Sequence, residues 1–542
     1  MGMREVLSGT AQMTLDTYLQ IVDDIQRVSG TKDASMRITA AIKNTMSDRH
    51  IVQKNFNELL QQYRSQVLPA VVSGWCDVGE EEKRSMLDMH NFFCGMHFIV
   101  NMAETVSESL RVYEQLHLDG SMAGATLLAQ NPARNSTESG AVRLVRTACK
   151  ALERHGSEQI GFPEEFAAFL RQRGVSQVPL DTFRGNRFNI LFHNAAGLYS
   201  VRDHALSFLT TVFDRPNMLL QAVTADLKEP LFLAGVRALG LIDKHLSAPL
   251  WKLLENKGVS ILDMNSKYAH LYSFLSSQDN AAGFLTGETV PFPSVPIDKD
   301  TKWAELVTSS ANDGETELIL QSLFAAIASL TYRLVRDHLP GGKLDDPSAT
   351  LKEQTATMAK TNTVSERDFA MLDRLMREKP NASTAALEGM ILYNNNKTGA
   401  WLAERTEAER EDLFQKARHL SPSMYAAFRL RRRHMLESRA AAQAAQQKAV
   451  QEKRQREAEK KAQLSADIAR DGFWQSPAEI EAGLESCTSE SARLSKLKLQ
   501  IKFRKKILSQ EADSSLFAFS QLGNKFSSTV LKENLIKLLS QK

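Results

Sequence analysis

The sequence predicts a mainly α, helical multi-domain chain. Three observations carry that expectation. Apolar residues recur at helical spacing along most of the first 404 residues, strand-like runs are few, and the stretch from Arg429 to Leu464 is rich in Ala, Gln, Lys, Arg and Glu with almost no apolar face. A chain so poor in strands cannot build a large sheet by itself.

Taken in order, amphipathic helices are expected at 11–29, 48–66, 81–117, 140–155, 200–213, 228–256, 314–337, 366–377 and 383–404. A short strand is expected in "SMRITAAIKNTMSD", ending just before Asp48, and a second in "GVSILDM". Breaks fall where Gly, Pro, Ser and Asn cluster, at 128–140, 287–300 and 339–355. Arg429 to Leu464 holds 11 Lys or Arg against 4 Glu and reads as one long, solvated, basic helix. A second basic run, 493–508, has seven Lys or Arg and no acid. Its Leu497, Leu499, Ile501 and Phe503 alternate like a strand, while Leu494, Leu497, Ile501 and Leu508 mark a helix face; a lone strand would lack a partner, so a helix is expected.

At 542 residues the chain has room for roughly three or four domains. Its net charge of +3 argues neither for nor against a polyanion, so any such affinity must come from local patches. Cys76, Cys94, Cys149 and Cys487 lie far apart, which excludes a disulfide framework and a zinc ribbon and fits an intracellular protein with reduced thiols. With no apolar stretch behind basic residues near Met1, no secretory signal is expected, and Val6 stands where a myristoylated chain prefers Ser or Thr. The uncharged run Leu318 to Tyr332, 15 residues, is too short for a bilayer and fits a buried helix, so no membrane partner is expected. A Gly-rich phosphate loop, a Ser nucleophile elbow and a His-x-x-x-His helix are all missing from the sequence.

Four constellations bear on chemistry. Asp48 stands at the junction of a strand and a helix, where Ser47 or Asp48 can cap the helix or Asp48 can bind Mg²⁺ as one of a set of acids. Thr363-Val-Ser-Glu366 fits a capping box, with Phe369, Leu372 and Leu375 following at helical spacing; Glu366 could equally be an acid of a metal site. Cys94-x-x-His97 has no second half-site nearby, so a structural role for a buried Cys and a hydrogen-bonded His is the better reading. Arg184 and Arg187, beside Phe188 and Phe192, could meet phosphates and stack on bases, or begin an ordinary core helix. Among the basic runs, Arg431, Arg432, Arg433, Lys453, Arg454, Lys502, Arg504 and Lys505 are candidate nucleic-acid contacts.

In their order along the chain, Asp48, Cys94 with His97, Arg187-Phe188, and Ser365-Glu366-Arg367 with Phe369 resemble the blocks of a hAT-type DDE transposase. The resemblance covers roughly residues 1–405 and rests on the order of short motifs. It implies an RNase H-like α/β core interrupted by a helical insertion, with Asp48 and Glu366 as two of three acids that hold Mg²⁺. The Asp48-to-Cys94 gap is wider than the family's, and Phe188 replaces its Trp. The family's first catalytic Asp and its preceding zinc finger would lie before Met1, so an N-terminally truncated relative is expected.

The expected organisation is a partial RNase H-like, mostly helical region at 1–127, a helical insertion-like domain at 140–286, a helical continuation at 301–340, a helical segment with Glu366 at 362–428, the basic helix at 429–465 and a basic amphipathic tail at 466–542. The expected function is that of a transposon-derived, catalytically inactive protein that binds DNA or protein partners, self-association included, with no cofactor, or Mg²⁺ if the site is intact. The alternative is a helical scaffold or adaptor with a basic arm and no transposon ancestry. Basic clusters without competing signals point to the nucleus, with the cytoplasm as alternative.

Overall fold

The structure is a computed structural model and describes residues 4–128, 137–154, 161–183, 189–214, 216–521 and 524–540. It is mainly α, as expected, and divides into two compact units, Met1–Thr406 and Glu407–Lys542.

The first unit begins with α1 (Ala11–Ser29), α2 (Ala34–Ala41), β1 (Asn44–Ser47), α3 (Ile51–Val71), α4 (Glu80–Leu87), β2 (His90–Phe93) and α5 (Gly95–His117). The helix bounds 11–29 match the expected ones because both ends carry explicit stop signals. Thr10 accepts from the Met13 N–H, and Gly30, at φ 65°, closes the other end in the left-handed region that favours glycine. The span 81–117, expected as one helix, is broken: "HNFF" forms β2. It pairs in parallel with β1, Asn44 opposite His90 through Ser47 opposite Phe93. Parallel neighbours need a crossover, and α3 and α4 supply it. The buried Arg64 fastens that crossover, donating to the Ala40 and Leu87 carbonyls at 3.2 and 3.1 Å. The second expected strand, in "GVSILDM", does not form; its Ile261 and Leu262 are buried in a turn.

The unit continues through α6 (Gly140–Leu152), α7 (Pro163–Arg171), α8 (Ile190–Ser200), α9 (Arg202–Thr211), α10 (Met218–Leu227) and α11 (Pro230–Ile242). A π-helical turn, Asp243–Ser247, joins α11 to α12 (Ala248–Glu255), where a single helix was expected. Next come α13 (Met264–Leu275), α14 (Asn280–Thr286), α15 (Thr301–Val307), α16 (Asp313–Val335), α17 (Ala349–Thr355), α18 (Thr363–Glu378), α19 (Thr384–Asn395) and α20 (Thr398–Ala403). Helix α11 lies at the centre, packed on α6, α8 and α16, and is buried on nearly every side, with Arg237 its one charged residue. Helix α16 is long and apolar enough to cross a membrane by length and composition, but Ile319, Leu320, Leu323, Phe324 and Ile327 are buried in the protein core.

Polar side chains deep in this core each meet specific partners. Glu114 of α5 accepts from Ser139 Oγ and from the Gly140 and Ala141 N–H groups at the start of α6. Arg143 forms a two-pronged pair with Asp226, at 2.9 and 2.7 Å, both side chains being almost wholly buried. Arg237 donates to the carbonyls of Leu306 and Thr308 and to Asp313.

The second unit contains α21 (Glu407–Asp471), α22 (Pro477–Glu485), α23 (Glu490–Lys506), a β3 (Ser520–Gln521) and β4 (Asn524–Lys525) hairpin, and α24 (Ser528–Ser540). Helix α21 is 65 residues long and runs without interruption through residue 429, where the composition changes. The run 493–508 is helical, as expected. Trp474, Ile480, Leu497, Ile501, Phe517, Leu531 and Leu535 form a core of their own.

Candidate functional site at the ends of the parallel strands

Two parallel strands end side by side, and the chain leaving each carries a candidate residue. After β1 comes Asp48; after β2 comes Cys94. The region beyond the carboxyl ends of parallel strands is where α/β folds bind ligands.

The turn after β1 is tight. Ser47 Oγ accepts from Arg49 N–H at 3.2 Å, Asp48 Oδ1 accepts from His50 N–H at 2.9 Å, and Arg49 sits at φ 56°. Neither Ser47 nor Asp48 caps α3, contrary to expectation; His50 does, its Nδ1 facing the Val52 N–H at 3.4 Å. The strained Arg49 is held by Asp337 at 2.7 Å and by the Asn91 carbonyl at 3.1 Å. Asp48 is left exposed at the mouth of the turn.

Cys94 is fully buried and is the N-cap residue of α5. Its Sγ donates to Asn362 Oδ1 at 3.0 Å and accepts from Asn362 N–H at 3.3 Å. One residue on, the Gly95 N–H donates to the Lys360 carbonyl at 3.0 Å, and Lys360 Nζ binds the Asn256 and Val259 carbonyls. Residues 360–362 are thus stitched to the start of α5 although they lie far away in sequence. Asn362 is the N-cap residue of α18, so this stitch sets the first turn of α18, and with it Glu366, above the strand ends.

The expected capping box at Thr363 does not form. The helix starts one residue earlier, Thr363 Oγ1 pairs with Thr361 Oγ1 at 2.7 Å, and no side chain caps the helix start. Glu366 is therefore not committed to a cap, and it stands half-buried in the first helical turn. Of the apolar positions that follow, Leu375 is buried and Leu372 packs beside it, while Phe369 is 62% exposed.

His97, one turn into α5, ties these groups together. The neighbouring Cys94 side chain raises the imidazole pKa; burial opposes this, and the charges of Cys94, Asp48 and Glu366 add to the rise. Conversely, burial pushes the Cys94 thiol up, but the neighbouring His97 and the Asn362 N–H outweigh it and the thiol lies below its ordinary value. Nδ1 of His97 is enclosed and has no partner in good hydrogen-bonding geometry. Cys94 and His97 are thus neighbours at the start of α5, and Asp48 and Glu366 lie near enough for their charges to act on His97. Asn362 and Lys360, which fasten the start of α18 to Cys94 and Gly95, went unread in the sequence; a capping Asn before a helix was the only signal, and nothing local points to its thiol partner.

The remaining candidates are dispersed. Arg184 and Arg187 lie outside the described residues. Arg431, Arg432, Arg433, Lys453 and Arg454 are strung along α21, and all but Arg431 are exposed. Lys502 and Lys505 are exposed on α23, over the rings of Phe519 and Phe517. Arg504, read as a phosphate contact, is buried instead: it donates to the Trp474 carbonyl and stacks on Phe473 with its guanidinium 4.7 Å from the ring centre. Its position on the core face of α23 decides this, and a run of basic residues does not reveal which one points inward.

Among the described residues no three His, Cys, Asp or Glu side chains are grouped to hold a metal ion. Comparison with protein-family models, with curated proteins and with solved structures gives no match for this chain.

Proposed function

We propose that the protein descends from a hAT-type DDE transposase and acts by binding DNA rather than cutting it, accumulating in the nucleus. One observation supports the descent above the rest: Asp48 and Glu366, far apart in sequence, both act on the His97 imidazole at the carboxyl end of a parallel strand pair. A transposase of this class needs its acids gathered there, because two metal ions about 4 Å apart must share them. Against cutting stands the donor set. The residues described do not fit a two-metal site, since no group of three metal-ligating side chains is formed. Affinity for DNA comes instead from basic side chains, chiefly the exposed residues of α21.

The test uses purified full-length protein and supercoiled plasmid with Mg²⁺ or Mn²⁺. Retardation without nicking is expected. Metal-dependent nicking that disappears in Asp48→Ala would overturn the non-cutting half. Absence of DNA binding at low salt would leave the helical scaffold or adaptor, recognising protein partners, as the better reading. In cells, a fluorescent fusion should be nuclear and become cytoplasmic when Arg431, Arg432, Arg433, Lys453 and Arg454 are all changed to Ala.

A further inference from the structure

The C-terminal part of α21 packs against α23, and the two helices leave between them an open groove of about 470 Å³. Its walls carry Lys460 and Arg470 from α21 and Lys496, Lys498, Lys502 and Lys506 from α23. Lys498, Lys502 and Lys506 recur every four residues, so they lie on one face of α23 about 6 Å apart along its axis.

The acids in the groove do not balance these charges. Asp467 and Asp471 are paired with Arg470, at 3.1 and 3.3 Å, and Asp467 also accepts from Gln463 Nε2 at 3.0 Å. Among the described residues Lys496 Nζ meets a hydroxyl, Ser486 Oγ, at 3.2 Å, and Lys502 Nζ lies over the Phe519 ring at 5.8 Å. Like charges set one turn apart on a helix repel one another. Such a row is relieved by a ligand that brings negative charge at regular intervals.

We infer that this groove is a track for the phosphodiester backbone of a nucleic acid, separate from the solvated middle of α21. A protein partner fits poorly, because protein interfaces have an apolar or aromatic centre poor in Lys, whereas among the described residues Leu464 and Leu499 are the only apolar side chains lining this groove. Interfaces with nucleic acid are polar and strongly positive. Phe519, half-buried under Lys502, adds the kind of aromatic surface that single strands stack on. The inference rests on the proposed nucleic-acid binding but names a different surface for it.

The experiment measures fluorescence anisotropy of the full chain with labelled 20-mers (duplex DNA, single-stranded DNA and single-stranded RNA) across a salt series. The triple variant Lys498→Gln, Lys502→Gln, Lys506→Gln should weaken binding at least tenfold at 0.15 M salt. It should also flatten the slope of log K against log salt by roughly 2 to 3, about 0.7 to 0.9 per lost phosphate contact. The matched triple change to Arg should keep both, which separates charge from folding, and unchanged circular dichroism checks the fold. The arm variant Arg432→Ala, Arg433→Ala, Lys453→Ala, Arg454→Ala is measured beside it. If the arm variant loses affinity and the groove variant does not, the groove inference is wrong and the DNA-binding reading survives. Binding of the parent chain to none of the three nucleic acids overturns both. Competition by polyglutamate as strong as by single-stranded DNA of equal charge overturns the choice of nucleic acid.

Discussion

The two units handle charge in opposite ways. In the first, charged side chains are taken inside and tied to several partners each: Glu114, Arg143 with Asp226, and Arg237 all lie beneath an apolar shell. In the second, Arg504 is the exception that turns inward, most other charge stays outside, and in α21 only Met435, Leu464 and Ile468 are buried. Apolar surface makes the difference. A large core can enclose an ion if every hydrogen-bonding site is met, and a helix with no apolar stripe keeps its charges in water. Where charge is buried it fixes position, and where it is exposed it offers a surface.

Unfolding should expose this contrast most plainly. Asp226→Ala strands the Arg143 guanidinium and also removes the acceptor of the Ala125 N–H, so it should cost about 3–5 kcal/mol. Urea titration followed by tryptophan fluorescence reads it, because Trp75, Trp251, Trp303 and Trp401 report the first unit and Trp474 the second. A loss under 1 kcal/mol would mean that the pair does not hold α6 to α10.

Acid should strike the first unit through its buried histidines. Burial lowers the pKa of His245 and of His338 to about 4 each. A His with a lowered folded pKa binds its proton more readily when unfolded. Its contribution is therefore complete above pH 6.5 and is lost as pH falls towards 4. Each contributes up to about 1.4 kcal/mol per pH unit in that window. Glu114, raised by burial despite its hydrogen bonds, works with the opposite sign. The measurement is the slope of stability against pH between 6.5 and 4, which should flatten in His338→Gln; an unchanged slope would remove His338 from the account.

A smaller effect tests the site. Glu366→Gln and Asp48→Asn should each lower the raised His97 pKa, by less than loss of the Cys94 side chain would, since their charges contribute least to the rise. NMR titration of the His97 ring reads it directly. If neither variant moves the value, the two acids do not share the imidazole and the main support for transposase descent goes with them.

The smallest effect belongs to α21. Lys416→Ala breaks its exposed pair with Asp412, 2.7 Å apart one turn away, and should change stability by less than about 0.5 kcal/mol. A larger loss would mean that this N-terminal part of α21 is held by more than its own exposed helix surface.

Local signals carried the sequence reading where they were complete. Thr10 and Gly30 bracket α1, and the polar composition after Arg429 specifies an exposed helix whatever surrounds it. The strand before Asp48 was expected somewhere in residues 35–48; only Asn44–Ser47 forms it, and the preceding Ala34–Ala41 is helical. Its partner β2 was not expected, because four residues between two helices share the apolar character of both and only pairing with β1 makes them a strand. The same limit applied at Thr363, where a capping-box pattern was outcompeted by a thiol from a distant helix.

The sequence by itself determined the mainly α class, most helix positions, the solvated basic arm and the identities of Asp48, Cys94, His97 and Glu366 as residues worth joining. Those follow from periodicity, caps and charge, which act over a few residues. Only the tertiary structure decided that the charges of Asp48 and Glu366 reach His97, that Asn362 and Lys360 fasten the start of α18 to Cys94 and Gly95, and that Arg504 turns inward while Lys502 and Lys505 stay out. The reason is physical: which buried polar group satisfies which is settled by the three-dimensional packing that surrounds them, and a hydrogen bond between residues 94 and 362 has no counterpart in local sequence.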